Sequence, residues 1–166
     1  MDTHLYELAE RVGLALKGAG LMLVTAESCT GGWVGQAVTM VPGSSDWFDR
    51  GFIVYSNAAK LELLDVMPDT VERFGAVSEE TARDMALGAL DHSRAQVSVA
   101  VSGIAGPDGG TPAKPVGTVS LAWAHRDGRV RTQTVQFPGD RDEVRRRSVA
   151  RALAGILEIL GPPPVA

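Results

Sequence analysis

The chain has 166 residues and a mass of 17.5 kDa, a length that predicts one domain. Hydrophobic residues make up 45% and charged residues 22%, which excludes disorder as the main state because there is enough apolar material for a core. The 16 basic and 20 acidic residues give a net charge of −4, which argues against a nucleic-acid partner.

Helices and strands are expected to alternate in the first half of the chain. Apolar residues recur every three or four positions from Leu5 to Leu16, which predicts a helix that ends at Gly18 or Gly20. The elements expected after it are a strand over 21–25, a helix over 31–41, a strand over 51–55, a helix over 57–64 and a helix from 78 to about 90.

A strand, a hairpin and a long helix are expected in the second half. Residues 96–102 alternate as a strand does, and the runs 116–124 and 129–137 flank Asp127-Gly128, which favours a hairpin. Asp140 and Glu143 resemble a capping box before a helix with an apolar stripe to Leu160. The order of elements predicts a layered α/β domain with a mixed sheet, a core over about residues 5–160 and a tail over 161–166.

Targeting and metal-binding signals are not found in the sequence. No apolar run approaches the roughly 20 residues of a membrane helix, and Met1–His4 does not resemble a signal peptide. We therefore expect a cytoplasmic protein without a membrane partner. Cys29 is the single cysteine and the three histidines are scattered, so neither an internal disulfide nor a metal site is expected.

Three polar segments each follow a predicted strand. They span residues 26–32, 55–60 and 102–110. Ligands of open α/β sheets bind beyond the carboxyl ends of the strands, so these loops could converge on one site. Ser28 lies where a strand turns into a helix, near the free N–H groups that form an oxyanion hole. The alternative interpretation is that Ser28 or Thr30 only caps the helix.

A nucleophilic serine needs a base, and Lys60 lies in a strand-end segment whereas no histidine does. Lys60 is in the first turn of a predicted helix, where the dipole disfavours its charge. Burial would also lower its pKa from about 10.4 toward neutrality. The alternative is an ordinary exposed lysine. Tyr55 is expected to end the preceding strand, either as a proton relay or as a half-buried strand aromatic.

The remaining polar features have two interpretations each. The segment from Gly103 to Gly110 contains four glycines in eight residues, so it either lets the backbone approach a ligand or is a plain surface connection. Arg141 and the arginines at 145–147 cluster at the start of the last helix. They form either a phosphate clamp or a solvated helix face.

Six ordered motifs together resemble the CinA C-terminal domain family over about residues 5–160. The motifs are Ala-Glu-Ser-Cys-Thr-Gly-Gly (26–32), Pro-Gly-Ser-Ser (42–45), Gly-Phe-Ile-Val-Tyr-Ser-Asn-Ala-Ala-Lys (51–60), Gly-Ala-Val-Ser (75–78), Ser-Gly-Ile-Ala-Gly-Pro-Asp-Gly-Gly (102–110) and Lys-Pro-Val-Gly-Thr-Val (114–119). The resemblance implies a three-layer α/β/α domain, commonly a homodimer, with no metal or other cofactor. The N-terminal domain of long family members has no counterpart here, which favours the stand-alone amidase form.

The resemblance also implies an activity and roles for particular residues. The activity is hydrolysis of nicotinamide mononucleotide to nicotinate mononucleotide and ammonia. By motif, Ser28 is the nucleophile, Lys60 the base and Tyr55 the proton relay. The oxyanion is expected at the N–H groups of Cys29, Thr30, Gly31 and Gly32. The expected substrate contacts are Asn57, Ser102, Gly103, Ile104, Ala105, Gly106 and Arg141, with the glycine backbone against the ring and Arg141 at the 5′-phosphate.

Two rival hypotheses remain open. The chain could be a catalytically idle ligand-binding or regulatory module, which ammonia release from nicotinamide mononucleotide would exclude. Alternatively, Cys29 could be the nucleophile, since cysteine is intrinsically the better one, although it lacks an evident histidine partner. A Cys29→Ala change tests this, because only a thiol enzyme would lose activity.

Overall fold

The computed structural model describes residues 1–161, and its centre is a mixed sheet of five strands. The elements are α1 (Thr3–Ala19), β1 (Leu23–Glu27), α2 (Trp33–Thr39), β2 (Phe48–Ile53), α3 (Asn57–Leu64), α4 (Pro68–Phe74), α5 (Glu79–Asp91), β3 (Val97–Gly103), β4 (Thr118–His125), β5 (Val130–Gln136) and α6 (Arg141–Leu160), with a short 3₁₀ turn at Ser44–Asp46. Gly161 follows α6, and the rest of the predicted tail lies outside the described residues.

The strand order places the carboxyl ends of three strands at one edge of the sheet. The order is β2-β1-β3-β4-β5, with β1 parallel to both β2 and β3, and with β4 and β5 each antiparallel to the strand before it. The chain therefore leaves β1, β2 and β3 at the same edge, where β4 begins and β5 ends. The predicted α/β class and mixed sheet are confirmed.

Helices cover both faces of the sheet, as the three-layer expectation requires. Helices α1, α2 and α6 pack on one face and α3, α4 and α5 on the other. Successive strand side chains point to opposite faces, so Val99 joins the first core and its neighbour Ala100 the second. Helix α3 lies close against α5, and this close approach requires a glycine at position 88. A Cβ on Gly88 would collide with the carbonyl of Leu64.

Two strand predictions were displaced along the chain. The first strand was expected over 21–25, but β1 extends to Glu27, which pairs with Ile53 and Val101. The polarity of Glu27 suggested a loop, yet its buried carboxylate is hydrogen-bonded and the ladder continues through it. The second strand was expected over 51–55, but β2 ends at Ile53. Tyr55 therefore lies beyond the strand.

Every predicted helix is present, and the structure has one α-helix more than predicted. Helix α2 is shorter than the predicted 31–41, because Gly31 and Gly32 have left-handed φ values of 61° and 100°. Helix α4 was not predicted, although Pro68 at its first turn is a recognised start signal. No helix within residues 1–161 combines the length and hydrophobicity needed to cross a membrane.

The predicted capping box of α6 forms only in part. Asp140 Oδ1 accepts a hydrogen bond from Glu143 N at 3.0 Å, which is one half of the motif. The Glu143 carboxylate does not reach back to Asp140 but pairs with Arg146 and Arg147 on its own helix. The second half of the box is therefore not formed.

Candidate active site

A pocket of about 160 Å³ opens at the edge where the parallel strands end. It is lined by Ser28, Cys29, Tyr55, Asn57, Lys60, Ala76, Val77, Ser102, Gly103, Ala105 and Arg141. The three polar segments that follow β1, β2 and β3 therefore meet in one place, together with the first residue of α6. Only Ala76 and Val77 were not among the expected site residues, although they belong to the Gly-Ala-Val-Ser segment quoted for the family resemblance.

Ser28 and Lys60 are in direct contact inside the protein. Lys60 Nζ donates one hydrogen bond to Ser28 Oγ and one to the main-chain oxygen of Tyr55, each at 3.2 Å. Ser56 caps α3 by accepting from Ala59 N, which fixes the turn that carries Lys60. Lys60 is 1% exposed, so its interpretation as an ordinary exposed lysine is wrong.

The surroundings of Lys60 favour its neutral form. Burial lowers the pKa of its ammonium group, and the nearby Cys29 offsets part of this effect. Within residues 1–161 no carboxylate forms an ion pair with Lys60. An amine that loses its proton easily and touches a hydroxyl group can act as that hydroxyl's base.

Cys29 lines the pocket as a neutral thiol. It is 6% exposed, and burial is the main reason that its pKa is raised to about 11. Its sulfur packs against Gly103, where an added Cβ would lie 3.1 Å from Sγ, so a side chain at 103 would displace the thiol. A buried thiol with a raised pKa is the opposite of the activated thiolate that a cysteine nucleophile requires.

The turn over residues 28–32 has both engaged and free N–H groups. Ser28 N donates to Val101 O at 3.0 Å and Gly31 N to Ser28 O at 3.1 Å. Among the described residues, the N–H groups of Cys29, Thr30 and Gly32 donate to no carbonyl or carboxylate oxygen. Of the four expected oxyanion donors, Gly31 is therefore already occupied.

Neither Ser28 nor Thr30 caps α2, so the interpretation of either residue as a helix cap is wrong. The N-cap position is Gly32, which has no side chain to do so. The N–H groups of Val34 and Gly35 instead donate to the carboxylate of Glu27, at 2.8 and 3.0 Å. Glu27 was not among the residues predicted to have a role, although it stands next to Ser28 in the same motif.

The arginine cluster has three different functions in the structure. Arg145 donates to the carbonyl oxygens of Cys29 and Thr30 at 3.1 and 3.2 Å, and its guanidinium lies 5.4 Å from the centre of the Trp33 ring. It thereby holds the turn over residues 28–32 against α6. Arg146 and Arg147 pair with Glu143 on the helix surface. Only Arg141 reaches the pocket.

Tyr55 and Arg141 meet at the mouth of the pocket. Tyr55 is 65% exposed and lies beyond β2, so its interpretation as a half-buried strand aromatic is wrong. Its hydroxyl accepts a hydrogen bond from Arg141 at 3.4 Å, and Arg141 also donates to Gly106 O at 2.9 Å. The contact between Tyr55 and Lys60 is made by the tyrosine main chain.

The other expected substrate contacts divide into two groups. Asn57, Ser102, Gly103 and Ala105 line the pocket, and Ser102 Oγ donates to Ala76 O at 2.8 Å, which holds the segment before α5 in place. Ile104 and Gly106 do not line it. The Ile104 main chain pairs with Thr118 and Gly117, and the Gly106 carbonyl accepts from Arg141, so both shape the loop around the pocket.

The histidines lie away from this pocket. His92 pairs with Asp65, His125 pairs with Asp127, and His4 lies in α1, so none of the three lines the pocket. Across residues 1–161 the structure contains no cluster of three or more histidine, cysteine, aspartate or glutamate side chains suited to a metal ion. The polar side chains that line the pocket are therefore those of Ser28, Cys29, Tyr55, Asn57, Lys60, Ser102 and Arg141, beside the free N–H groups of the turn.

The chain belongs to the CinA C-terminal domain family, whose model matches residues 5–160. It is 52% identical over 152 residues to the nicotinamide-nucleotide amidohydrolase PncC of Escherichia coli (strain K12), which covers 92% of each chain. Identity to the PncC of Pseudomonas putida is 52% over 153 residues, or 92% of this chain and 94% of that one. The crystal structure of competence/damage inducible protein CihA from Agrobacterium tumefaciens superposes with a TM-score of 0.94 at 45% identity, covering 98% of both chains.

Proposed function

We propose that the chain is a nicotinamide-nucleotide amidohydrolase that converts nicotinamide mononucleotide and water to nicotinate mononucleotide and ammonia. The observation that supports this most directly is the buried contact of 3.2 Å between Lys60 Nζ and Ser28 Oγ. It occurs in a chain that is 52% identical to PncC of Escherichia coli. An amide bond is cleaved by a nucleophile with an adjacent base, and the pocket supplies both.

The first chemical step forms an ester between Ser28 Oγ and the carbonyl carbon of the carboxamide on the pyridine ring. Ser28 Oγ attacks the carboxamide carbon while neutral Lys60 takes the hydroxyl proton. The oxygen of the tetrahedral intermediate becomes negative, and the free N–H groups of Cys29 and Thr30 are the donors assigned to it. The carbon–nitrogen bond then breaks, and the Lys60 ammonium gives its proton to the departing nitrogen, which leaves as ammonia.

The second step returns the enzyme to its starting state. Water attacks the ester carbon while Lys60 again takes a proton, and Ser28 Oγ leaves and is reprotonated by Lys60. The product is a carboxylic acid, which ionises at neutral pH. Lys60 contacts Ser28 and therefore serves both transfers. We assign the Tyr55 hydroxyl, which bonds Arg141, to the rim of the pocket rather than to the proton path.

The size of the pocket determines which part of the substrate it encloses. Its volume of about 160 Å³ is below the roughly 300–1,000 Å³ of sites that enclose a whole drug-sized ligand. The pyridine ring and its carboxamide would therefore enter between Gly103, Ala105 and Lys60, while the ribose phosphate stays at the mouth. Arg141 stands there with a guanidinium suited to a phosphate group.

A direct assay tests the proposed function. The purified chain should release ammonia and nicotinate mononucleotide from nicotinamide mononucleotide in equal amounts. Ser28→Ala protein, purified in the same way, controls for a contaminating amidase. A folded wild-type protein that binds the mononucleotide but releases no ammonia would contradict the proposal and support the idle binding module instead.

We also propose, from the family resemblance, that residues 5–160 act as one catalytic domain and that the chain is a homodimer. Light scattering should then give a mass of twice 17.5 kDa at assay concentrations. A monomeric mass with full activity would contradict the dimer and leave the assigned pocket complete within one chain.

A further inference from the structure

Glu27 is a buried carboxylate that the mechanism above does not use. It is the last residue of β1 and is 2% exposed. Its Oε1 accepts from Thr30 Oγ1 at 2.6 Å and from Val34 N at 2.8 Å, and its Oε2 accepts from Gly35 N at 3.0 Å. Burying a carboxylate is unfavourable unless hydrogen bonds compensate it, so these three donors explain how the protein tolerates the charge.

These bonds connect the two ends of the turn that carries Ser28. Glu27 precedes Ser28, whereas Val34 and Gly35 lie in the first turn of α2, which has no side-chain cap of its own. The carboxylate therefore bridges the two ends of the turn over residues 28–32. It accepts hydrogen bonds from the N–H groups of Val34 and Gly35, which the helix would otherwise offer to a ligand. An oxyanion in the pocket is left to the N–H groups of the turn itself.

Arg145 fixes the same turn through its carbonyl groups. It donates to Cys29 O and Thr30 O, so these oxygens point toward α6. In a trans peptide the N–H lies opposite the C=O, so the N–H of Thr30 points away from Arg145. The Thr30 hydroxyl is held by Glu27 at the same time. Thr30 is thus restrained through both its main chain and its side chain.

We propose that Glu27 is a positioning residue for amide cleavage, which orients the 28–32 turn so that Ser28 Oγ and the free N–H groups reach the same carbonyl group. This inference rests on the proposed function. Glu27 is not assigned to the proton path, since its carboxylate bonds Thr30, Val34 and Gly35 and makes no hydrogen bond to Lys60 or Ser28. Its contribution is geometric, and small displacements of a reacting group reduce rates strongly.

Two substitutions test this role, with one matched control. Glu27→Gln keeps the size but leaves one acceptor oxygen for three donors, and should lower kcat by about 100-fold with KM changed less than about threefold. Thr30→Val replaces the hydroxyl with a methyl group of similar size and should lower kcat by about tenfold. The double variant should be close to Glu27→Gln alone, because both changes disrupt one network. Ser98→Ala, which loses a buried bond to Ala86 O on the opposite face, should keep full activity.

A second readout separates this inference from the substrate assignment. A fluorophosphonate probe reacts with an activated serine whatever the natural substrate is, and labelling at Ser28 is followed by mass spectrometry. The labelling rate should fall in Glu27→Gln and Thr30→Val in parallel with kcat. If wild-type protein labels at Ser28 but does not hydrolyse the mononucleotide, the proposed function fails while the labelling series still decides the role of Glu27.

The outcomes that overturn the positioning role are specific. One is a folded Glu27→Gln protein with kcat and labelling rate within about twofold of wild type. Another is an equal loss in Ser98→Ala, which would show general destabilisation. If Glu27→Gln does not fold, an unchanged kcat in Thr30→Val overturns the proposal. Wild-type protein that neither hydrolyses the mononucleotide nor labels at Ser28 overturns both proposals.

Discussion

The two edges of the sheet have concave surfaces of opposite character. At the edge where the parallel strands end, a pocket of about 160 Å³ contains the buried polar pair Ser28 and Lys60. At the other edge, a groove of about 1130 Å³ lies between the ends of α1 and α6 and the β4–β5 hairpin, and it is lined largely by apolar groups such as Leu14 and Leu157. The smaller pocket contains the contacting polar pair Ser28 and Lys60, so volume alone does not identify the candidate site.

Electrostatics separates the two edges in the same way. Near the groove, Asp127 is exposed and pairs with Arg129, whose backbone N–H is the main reason that the pKa of this carboxyl is lowered. That shift keeps Asp127 in the ionised form that it already has at neutral pH. In the pocket, burial lowers the pKa of Lys60 and so shifts it toward the neutral amine. A group moved toward its uncommon protonation state marks a functional site better than one held in its common state.

The largest expected effect is that of removing the nucleophile. Ser28→Ala should lower kcat by at least about 10³-fold, because a covalent mechanism loses its attacking atom. Circular dichroism and thermal melting should show a folded protein. Activity within tenfold of wild type would mean that the buried pair at the parallel edge is not the catalytic centre.

Replacing the base should have the next largest effect. Lys60→Arg should be nearly as inactive as Lys60→Met, about 10²- to 10⁴-fold below wild type, because arginine remains protonated. In the wild type, lowering the pH through the depressed pKa of Lys60 protonates the amine, so the rate should fall on the acid side. A rate that stays flat down to pH 5, with chemistry limiting, would contradict the lysine base.

The convergence of the pocket loops could be predicted from the sequence, but the state of Lys60 could not. Parallel strands end at a common edge, so the polar segments after β1, β2 and β3 had to meet there. Whether Lys60 faces solvent depends on how the eight-residue helix α3 packs against α5, and a helix so short has no clear apolar stripe. Gly88, which permits that close packing, lies far away in the sequence.

The roles of Glu27 and Arg145 were also beyond the sequence. A glutamate after a strand is typical of a loop, but main-chain pairing with Ile53 and Val101 places Glu27 in the ladder, and its carboxylate contacts the start of α2. Arg145 is one of several arginines on α6, and the helix phase relative to the turn decides which one reaches Cys29 and Thr30. Both roles depend on tertiary contacts, which local patterns do not contain.

Arg141 should have an intermediate effect that depends on the substrate. If it binds the 5′-phosphate, Arg141→Ala should lower kcat/KM for nicotinamide mononucleotide by about 10- to 150-fold, as expected for a charge-assisted hydrogen bond. The riboside, which lacks the phosphate, should change less than about twofold. The comparison is made with both substrates on both proteins. Equal losses would show that Arg141 shapes the loop through Gly106 and does not recognise the phosphate.

Removing the Cys29 thiol should have a small effect. With a pKa of about 11, about one thiol in 10⁴ is ionised at pH 7, so the thiol is a poor nucleophile. Cys29→Ala should therefore retain activity within about fivefold, the loss coming from packing against Gly103. A loss as large as that of Ser28→Ala would identify Cys29 as the nucleophile and contradict the serine mechanism.

The smallest effect should come from the groove edge, and a matched pair of substitutions measures the contrast. Leu14 at the groove and Ile53 at the end of β2 are both exposed, at 69% and 56%. Ile53 packs over Gly32, where an added Cβ would lie 2.9 Å from its Cδ1. A charge at 53 should therefore disturb the turn over residues 28–32.

Ile53→Glu should lower kcat/KM for the mononucleotide by about tenfold, whereas Leu14→Glu should leave it within about twofold, with a stability change within about 0.5 kcal/mol, as is usual for surface changes. Steady-state rates and melting temperatures of the two proteins provide the comparison. Equal losses in both would remove the functional distinction between the edges. If the loss in Leu14→Glu comes with a change in molecular mass, the groove is an interface between copies of the chain on which the distant pocket depends.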